Sequence, residues 1–394
     1  MHVYIRKRHY KKTLLTMNIQ TSFHVGPRVK YAREKLRITQ DALADALGFK
    51  DRQTISDIEN GKRSVKTDEL LGLSDALNQE VEFFLDPFNV VAEAQYSWRA
   101  SDDLPGAELD HFETVANGWV GMVRWLHQQD PDPEQDPDPE PDFEFVALRL
   151  SEGSTYEQAQ LSGERLAAML GLGLVPARTL PECLEAKLGI PVLFVDSVVR
   201  QQKHSISGAA CQVEGFSVIL VNRRESAFRR NFDLAHELFH VLTWEAMPPS
   251  HRESNAVEHR SKVKRVEQLA NNFAGALLMP RSSLNKFIEE ERAMDVQHLA
   301  DVAARLQVTT YALGWRLKNL GRIDEPTRTK LAGMPRVDDQ EIPKLFSPAF
   351  VRKLHVALDK GRLSARKAAK TLGLPLVELT ELFDAHGMSA PFEL

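Results

Sequence analysis

Two histidines four residues apart, with a glutamate after the first, make the pattern His236-Glu237-Leu238-Phe239-His240. It lies in a stretch from Phe228 to about Thr243 whose apolar spacing predicts a helix, with Phe232 and Leu234 anchoring it in a core. Residues four apart differ by about 40° around a helix, so both imidazoles face one side and can bind one metal ion. Glu237 cannot easily join them as a ligand. Its carboxylate instead stands where it can take a proton from a water at the ion, the role of a general base. A catalytic zinc site takes three protein ligands and keeps one position open, so a neighbouring helix must supply the third. The segment VEQLANNFAGALLMP, in a helix expected from about Val263 to Leu278, sets Glu267, Ala270, Asn271, Ala274 and Leu278 along one face. Its small residues let two helices approach closely. Glu267 is the expected third ligand, and Asn271, one turn on, is placed to orient a ligand by a hydrogen bond. The oxyanion donor stays open among His204, His251 and His259. Cys211, on a β-like run, offers a thiolate for the open metal position, although a buried core cysteine is the simpler account.

These residues resemble the ImmA/IrrE family of metallopeptidases. The family pattern is a strand ending in Asn, a short basic stretch, AHExxH, and a later helix E-x-x-A-N-x-F-A-x-x-L-L-M-P. Here it runs through Ile219–Asn222, Arg223–Arg230, Ala235–His240 and Glu267–Pro280, and the likeness covers about Tyr156 to Pro280. The resemblance implies a zincin-like peptidase, with manganese as the alternative metal, that cuts helix-turn-helix repressors at one bond in response to DNA damage or another stress.

A second constellation lies near the start. Thr39-Gln40-x-x-Leu43-Ala44, Gly48 and Thr54-Ile55-Ser56-x-Ile58-Glu59-Asn60-Gly61-Lys62-Arg63 resemble the XRE-type helix-turn-helix of phage repressors over about Phe23 to Leu85. Short helices are expected over Val25–Lys35, from a Thr39 cap to Leu47, over Arg52–Glu59, and from a Thr67 cap through Leu70, Leu71, Leu73 and Leu77. Val29, Leu43, Ala44, Leu47, Ile55, Ile58, Leu70 and Leu77 would form the core. The recognition helix Arg52–Glu59 would enter the major groove and present Arg52, Gln53, Thr54, Ser56 and Asp57. Gln53 can pair with an adenine edge, and Gln40 can reach a phosphate or a base. Lys62 and Arg63, after Asn60-Gly61, are placed for phosphates. Such domains read palindromes as dimers, so the implied partners are double-stranded operator DNA and a second copy of the chain.

The elements that must position both sites fall on either side of an acidic run. Asp130 to Glu144 carries eight acids and five of the 20 prolines, so it can form neither helix nor central strand and reads as a semi-rigid linker. Residues 1–16 carry five positive charges and no acid, while the whole chain of 394 residues carries −5. Net charge therefore gives no case for nucleic acid, which rests on the motif. Two cysteines, Cys183 and Cys211, fit a reducing cytosol rather than a disulfide framework. No apolar run approaches the roughly 18 residues of a membrane helix, so the expected location is cytoplasmic.

The expected organisation is a basic leader (1–22), a helix-turn-helix domain (23–88), connecting helices (89–129), the linker (130–144), a peptidase domain (145–285), a helical module (286–325) and a carboxy-terminal helical region (326–394). Both of the last two contain helix-turn-helix-like spacings that fit packing better than DNA reading. In 89–129, one amphipathic helix over His111–Gln129 needs a partner for its apolar face, and a second copy of the chain is one. After the linker, helices around Tyr156–Leu170 and Leu180–Leu188 precede three β-like runs from Pro191, Ser207 and Phe216. The fold class is mainly α with a small sheet (α+β). The expected activity is that of a DNA-binding regulator whose peptidase cleaves a repressor, an antitoxin or its own chain, with single-stranded DNA as an activator. The alternative is a non-proteolytic regulator that uses the metal domain as a sensor, and the intact Glu237 argues against it.

Overall fold

The computed structural model describes residues 20–129, 148–196, 206–213, 216–253, 261–334 and 341–393. The basic leader up to residue 19, the acidic linker, His204 and His259 lie outside them. The first unit is all helical: α1 (Gln20–Lys35), α2 (Gln40–Ala46), α3 (Arg52–Glu59), α4 (Thr67–Leu77) and α5 (Val81–Leu85). The Thr39 hydroxyl accepts from Ala42 N at 3.1 Å and starts α2, and the Asp51 carboxylate accepts from Thr54 N at 3.3 Å and starts α3. Thr67 is not a cap. It is the first residue of α4, and Glu69 reaches back to accept from Lys66 N at 2.9 Å, which satisfies the end that the Thr67 hydroxyl was expected to serve. The expected core residues all pack together with Val25, Ala32, Leu73 and Phe84. Leu71 instead is 56% exposed.

The segment 89–129 departs from the expected helices. Gln95–Ala100 is a strand, β1, followed by one long helix, α6 (Gly106–Gln128). After residue 147 come α7 (Tyr156–Met169), α8 (Leu180–Leu188), β2 (Val192–Val195), β3 (Ile206–Val213), β4 (Phe216–Asn222), α9 (Ala227–Thr243), β5 (Arg252–Glu253), α10 (Ser261–Leu278) and α11 (Arg281–Phe287). The chain continues through α12 (Val296–Leu306), α13 (Thr310–Asn319), α14 (Glu325–Ala332), α15 (Pro348–Asp359), α16 (Ala365–Leu372) and α17 (Leu376–Ala385).

Among the described residues the sheet has five strands in the order β2-β4-β3-β1-β5. β3 runs antiparallel to β4 and to β1, while β2 pairs parallel with β4 and β5 with β1. Alternation splits the strand side chains between two cores. Val192, Ala210, Ile219 and Val221 face a core built with α7 to α10 and α12 to α14. Tyr96, Trp98, Ala209, Cys211, Val218 and Leu220 face a second core built with α6 and α15 to α17.

Two expectations change as a result. The acidic run is not a boundary between independent units, because β1, which precedes it, pairs with β3, which follows it, from Gln95↔Gln212 to Ala100↔Ile206. The apolar face of α6 has its partner within the chain: Phe112, Trp119, Met122 and Val123 pack beneath the sheet against Phe346, Leu354 and Phe383. That face gives no ground for a dimer. The carboxy-terminal helices are likewise packing elements, with Trp119 Nε1 donating to Leu372 O at 3.0 Å.

Helices α7 and α10 depend on one close approach. Gly163 in α7 leaves no room for a Cβ between itself and the backbone of Phe273 and Leu277 in α10. Gly163→Ala should therefore push α10 away and cost about 1–3 kcal/mol. Urea unfolding checks the stability, and because α10 carries Glu267, zinc affinity should fall with it.

Candidate functional site

Helix α9 begins just beyond the end of β4 and packs its apolar residues Leu234, Ala235, Leu238 and Leu242 into the core above the sheet. His236, Glu237 and His240 are all buried on it, at 1%, 0% and 0% exposure. Helix α10 crosses beside it and brings Glu267 to the pair. His236 Nε2 lies 3.1 Å from Glu267 Oε2 and 3.1 Å from His240 Nε2, and His240 Nε2 lies 3.7 Å from Glu267 Oε1. The three are the group, among the described residues, whose ligand atoms lie within 4.8 Å of one another. Asn271 Oδ1 stands 3.1 Å from His236 Nδ1. The expected ligand set and its orienting residue are thus brought together.

This arrangement fits a metal ion. With Asn271 Oδ1 accepting from Nδ1, the other ring nitrogen of His236 offers a lone pair. That lone pair points at a carboxylate oxygen and a second imidazole nitrogen, and such a cluster of acceptors is repulsive without a cation among them. Atoms bound to one tetrahedral zinc ion at about 2.0–2.2 Å lie about 3.3–3.5 Å apart, close to the separations found here.

Cys211 is the buried core cysteine of the simpler account, and His251, one of the three open candidates for the oxyanion donor, is engaged away from the metal-ligand group. Cys211 faces the second core, on the side of the sheet away from α9, because it alternates with Ala210. Burial pushes its thiol well above the ordinary range, so it is no candidate thiolate for the metal. His251 is held elsewhere too. Its Nε2 meets Glu113 Oε2 of α6 at 2.7 Å, and Glu113 also accepts from Trp98 Nε1, in the second core. An oxyanion donor from His251 is therefore not supported.

Sequence reasoning missed a charged cluster at the start of α9. Asp233, buried and one turn before Glu237, takes Arg99 of β1 at 3.3 Å and Arg229 at 3.5 Å. Arg229 Nη2 also donates to Ser207 at 3.1 Å. The signal available was the alternation of Ser97 and Arg99 with Tyr96, Trp98 and Ala100, which marks a strand with one polar face; that this face meets α9 shows only in the fold.

In the first unit, α3 presents Arg52 and Gln53 exposed, with Thr54, Ser56 and Asp57 half-exposed, and Asn60 and Lys62 exposed after it. Gln53 Nε2 donates to Asp57 Oδ1 at 2.9 Å, and Asn60 Nδ2 donates to Ser56 O at 2.7 Å, which ends the helix. Gln40 and Arg63 are placed differently from the expectation. Gln40 Nε2 donates to Glu59 at 2.7 Å, inside the buried pair that Glu59 makes with Arg33. Arg63 forks onto both oxygens of Glu69, at 3.1 and 2.6 Å, and lies over the Phe49 ring. Both side chains brace the helices rather than extend towards a phosphate, because each finds a carboxylate within the domain.

Comparison with known proteins bears on both sites. The family model described as Peptidase_M78, IrrE N-terminal-like domain, matches residues 186–318, and the model described as HTH_3, helix-turn-helix, matches 29–84. No curated protein matches the chain. Among solved structures, a Mycobacterium tuberculosis transcriptional regulator is 20% identical over 45% of this chain and 51% of its own, with a TM-score of 0.30. The chain thus spans about half the length of that regulator. Bacillus thuringiensis PlcR, in complex with the peptide PapR7 and DNA, is 12% identical over 92% of this chain and 98% of its own, at 0.16. The competence regulator ComR from Streptococcus vestibularis, in complex with its signalling peptide XIP, is 11% identical over 93% and 99%, also at 0.16. Such low TM-scores carry no structural argument. Among the described residues, no helix is long and apolar enough to cross a membrane. On the two family matches, this chain joins an XRE-type helix-turn-helix domain to an IrrE/ImmA-like Peptidase_M78 domain.

Proposed function

We propose that the protein is a cytoplasmic transcriptional regulator that reads operator DNA through α3, as a homodimer, and carries a zinc endopeptidase acting on a helix-turn-helix repressor or antitoxin under stress. The observation that carries the reading is the convergence of His236, His240 and Glu267, with Glu237 buried on the same helix and Asn271 holding His236. A bound zinc ion, or manganese in its place, would supply Lewis acidity towards the scissile carbonyl and the attacking water. His236, His240 and Glu267 would hold it. Asn271 fixes the ring and tautomer of His236. Glu237 takes the proton of the attacking water and hands it to the leaving amine as the peptide bond breaks.

The direct test incubates the zinc-loaded protein with purified helix-turn-helix repressors, with and without single-stranded DNA, and reads fragments by mass. One defined cut that needs both zinc and Glu237 supports the proposal. Intact repressor under every condition, with operator binding retained, would refute it in favour of a metal-domain sensor.

The DNA half makes a separate prediction. Gln53→Ala should cost about 1–3 kcal/mol at the cognate operator and relax preference at one base pair. Lys62→Ala should weaken all sequences alike and lower the salt slope by about one. Titrations of cognate and scrambled duplexes at several salt concentrations separate the two.

A further inference from the structure

The link between head and body is the part of the molecule that the proposed function leaves unused. Residues 86–94 join α5 to β1, and this junction is held from three sides, two through its backbone and one through side chains. Arg28 of α1, 1% exposed, donates to Phe84 O at 2.7 Å and to Asn89 O. Arg124 of α6, 3% exposed, donates to Pro87 O at 2.9 Å and to Asn89 O at 3.3 Å. Both guanidiniums share the Glu93 carboxylate. Gly121 lets α6 lie directly against Phe88 O, where a Cβ would not fit. On the third side, Lys367 of α16 reaches Glu82 and Asp86 at 2.8 and 2.7 Å, and Lys370 reaches Glu82 at 3.0 Å.

Beyond this junction the next tether is the acidic run. A break there leaves β1 and α6 on the head's side, yet β1 is hydrogen-bonded to β3 along its length and α6 is buried against α15 to α17. We propose that residues 86–129 are a permanent bracket, so that the junction is closed to cleavage and a cut in the acidic run does not free the DNA-reading head from the metal-bearing body. A peptidase needs an extended, accessible segment, and the junction's carbonyls are instead engaged by buried arginines. The substrate is then a second polypeptide, and the head is the address that brings the peptidase to an operator. The choice of substrate rests on the peptidase reading above, whereas the bracket does not.

The test uses the full chain with a recognition sequence for a site-specific protease inserted between Gln135 and Asp136. After complete cutting, the two fragments should co-elute as one species, and operator affinity should stay within about twofold of the uncut protein. Separation of the fragments, or affinity lowered tenfold or more, would overturn the bracket. In a second arm, zinc-loaded wild type is incubated alone and with operator, and its mass is followed. The chain should stay intact between Leu85 and Gln95. A fragment ending there in wild type and absent from Glu237→Gln would overturn the proposal while upholding the peptidase. A peptidase that cuts no partner would refute the proposed function and leave the first arm's result standing.

Discussion

Glu237→Gln is expected to keep zinc bound at wild-type stoichiometry while cleavage of the repressor falls by about 10²–10⁴-fold, the usual contribution of a positioned general base. The side chain keeps its size, so the fully buried pocket on α9 is not emptied. The candidate ligands His236, His240 and Glu267 are untouched, and the 3.1 Å contact of Asn271 with His236 does not involve residue 237. Only the capacity to accept a proton is lost. His236→Ala should behave differently, because it removes a ligand: zinc content and cleavage should fall together. Metal analysis beside a single-turnover cleavage assay distinguishes the two. Near-normal cleavage by Glu237→Gln would exclude Glu237 as the base.

The largest expected effect on stability lies far from the metal. Glu93→Ala would leave Arg28 and Arg124, both almost fully buried, facing each other with their shared carboxylate gone. Burial already lowers the Arg28 pKa and the neighbouring Arg124 lowers it further, against the pull of Glu93. Removing one partner of a buried ionic group typically costs about 3–5 kcal/mol, and this cluster has two cations to strand. Urea unfolding should show that loss. Lys370→Ala, at a side chain 69% exposed, should shift the same transition by less than about 1 kcal/mol. Equal effects from the two would mean that the buried cluster does not hold the head.

The candidate metal site was legible from sequence because most of its information is local. HExxH sets two candidate ligands on one helix face by geometry alone, and Glu267 was expected from the small-residue face of α10; that face meets α9, while Phe273 and Leu277 on another side meet Gly163 of α7. The recognition helix was legible for the same reason, since its caps and core spacing lie within a few dozen residues. What sequence spacing did not reveal was long-range. β1 is six residues long, and its Arg99 reaches the α9 side to pair with Asp233, a partner 134 positions away. Nothing in the local pattern marks that pairing. The acidic run drew attention to itself as a boundary, yet the sheet closes across it. Gln40 and Arg63 looked like phosphate contacts from their positions beside the recognition helix. Their carboxylate partners, Glu59 and Glu69, become neighbours only when the helices fold together.

Anomalous diffraction at the zinc edge, from crystals of the zinc-loaded full chain, tests the centre of this description most directly. One peak per chain bonded to His236 Nε2, His240 Nε2 and Glu267, and retained in Glu237→Gln, is the predicted result. Zinc bound in solution but with its peak elsewhere, or a peak that lacks Glu267, would contradict it.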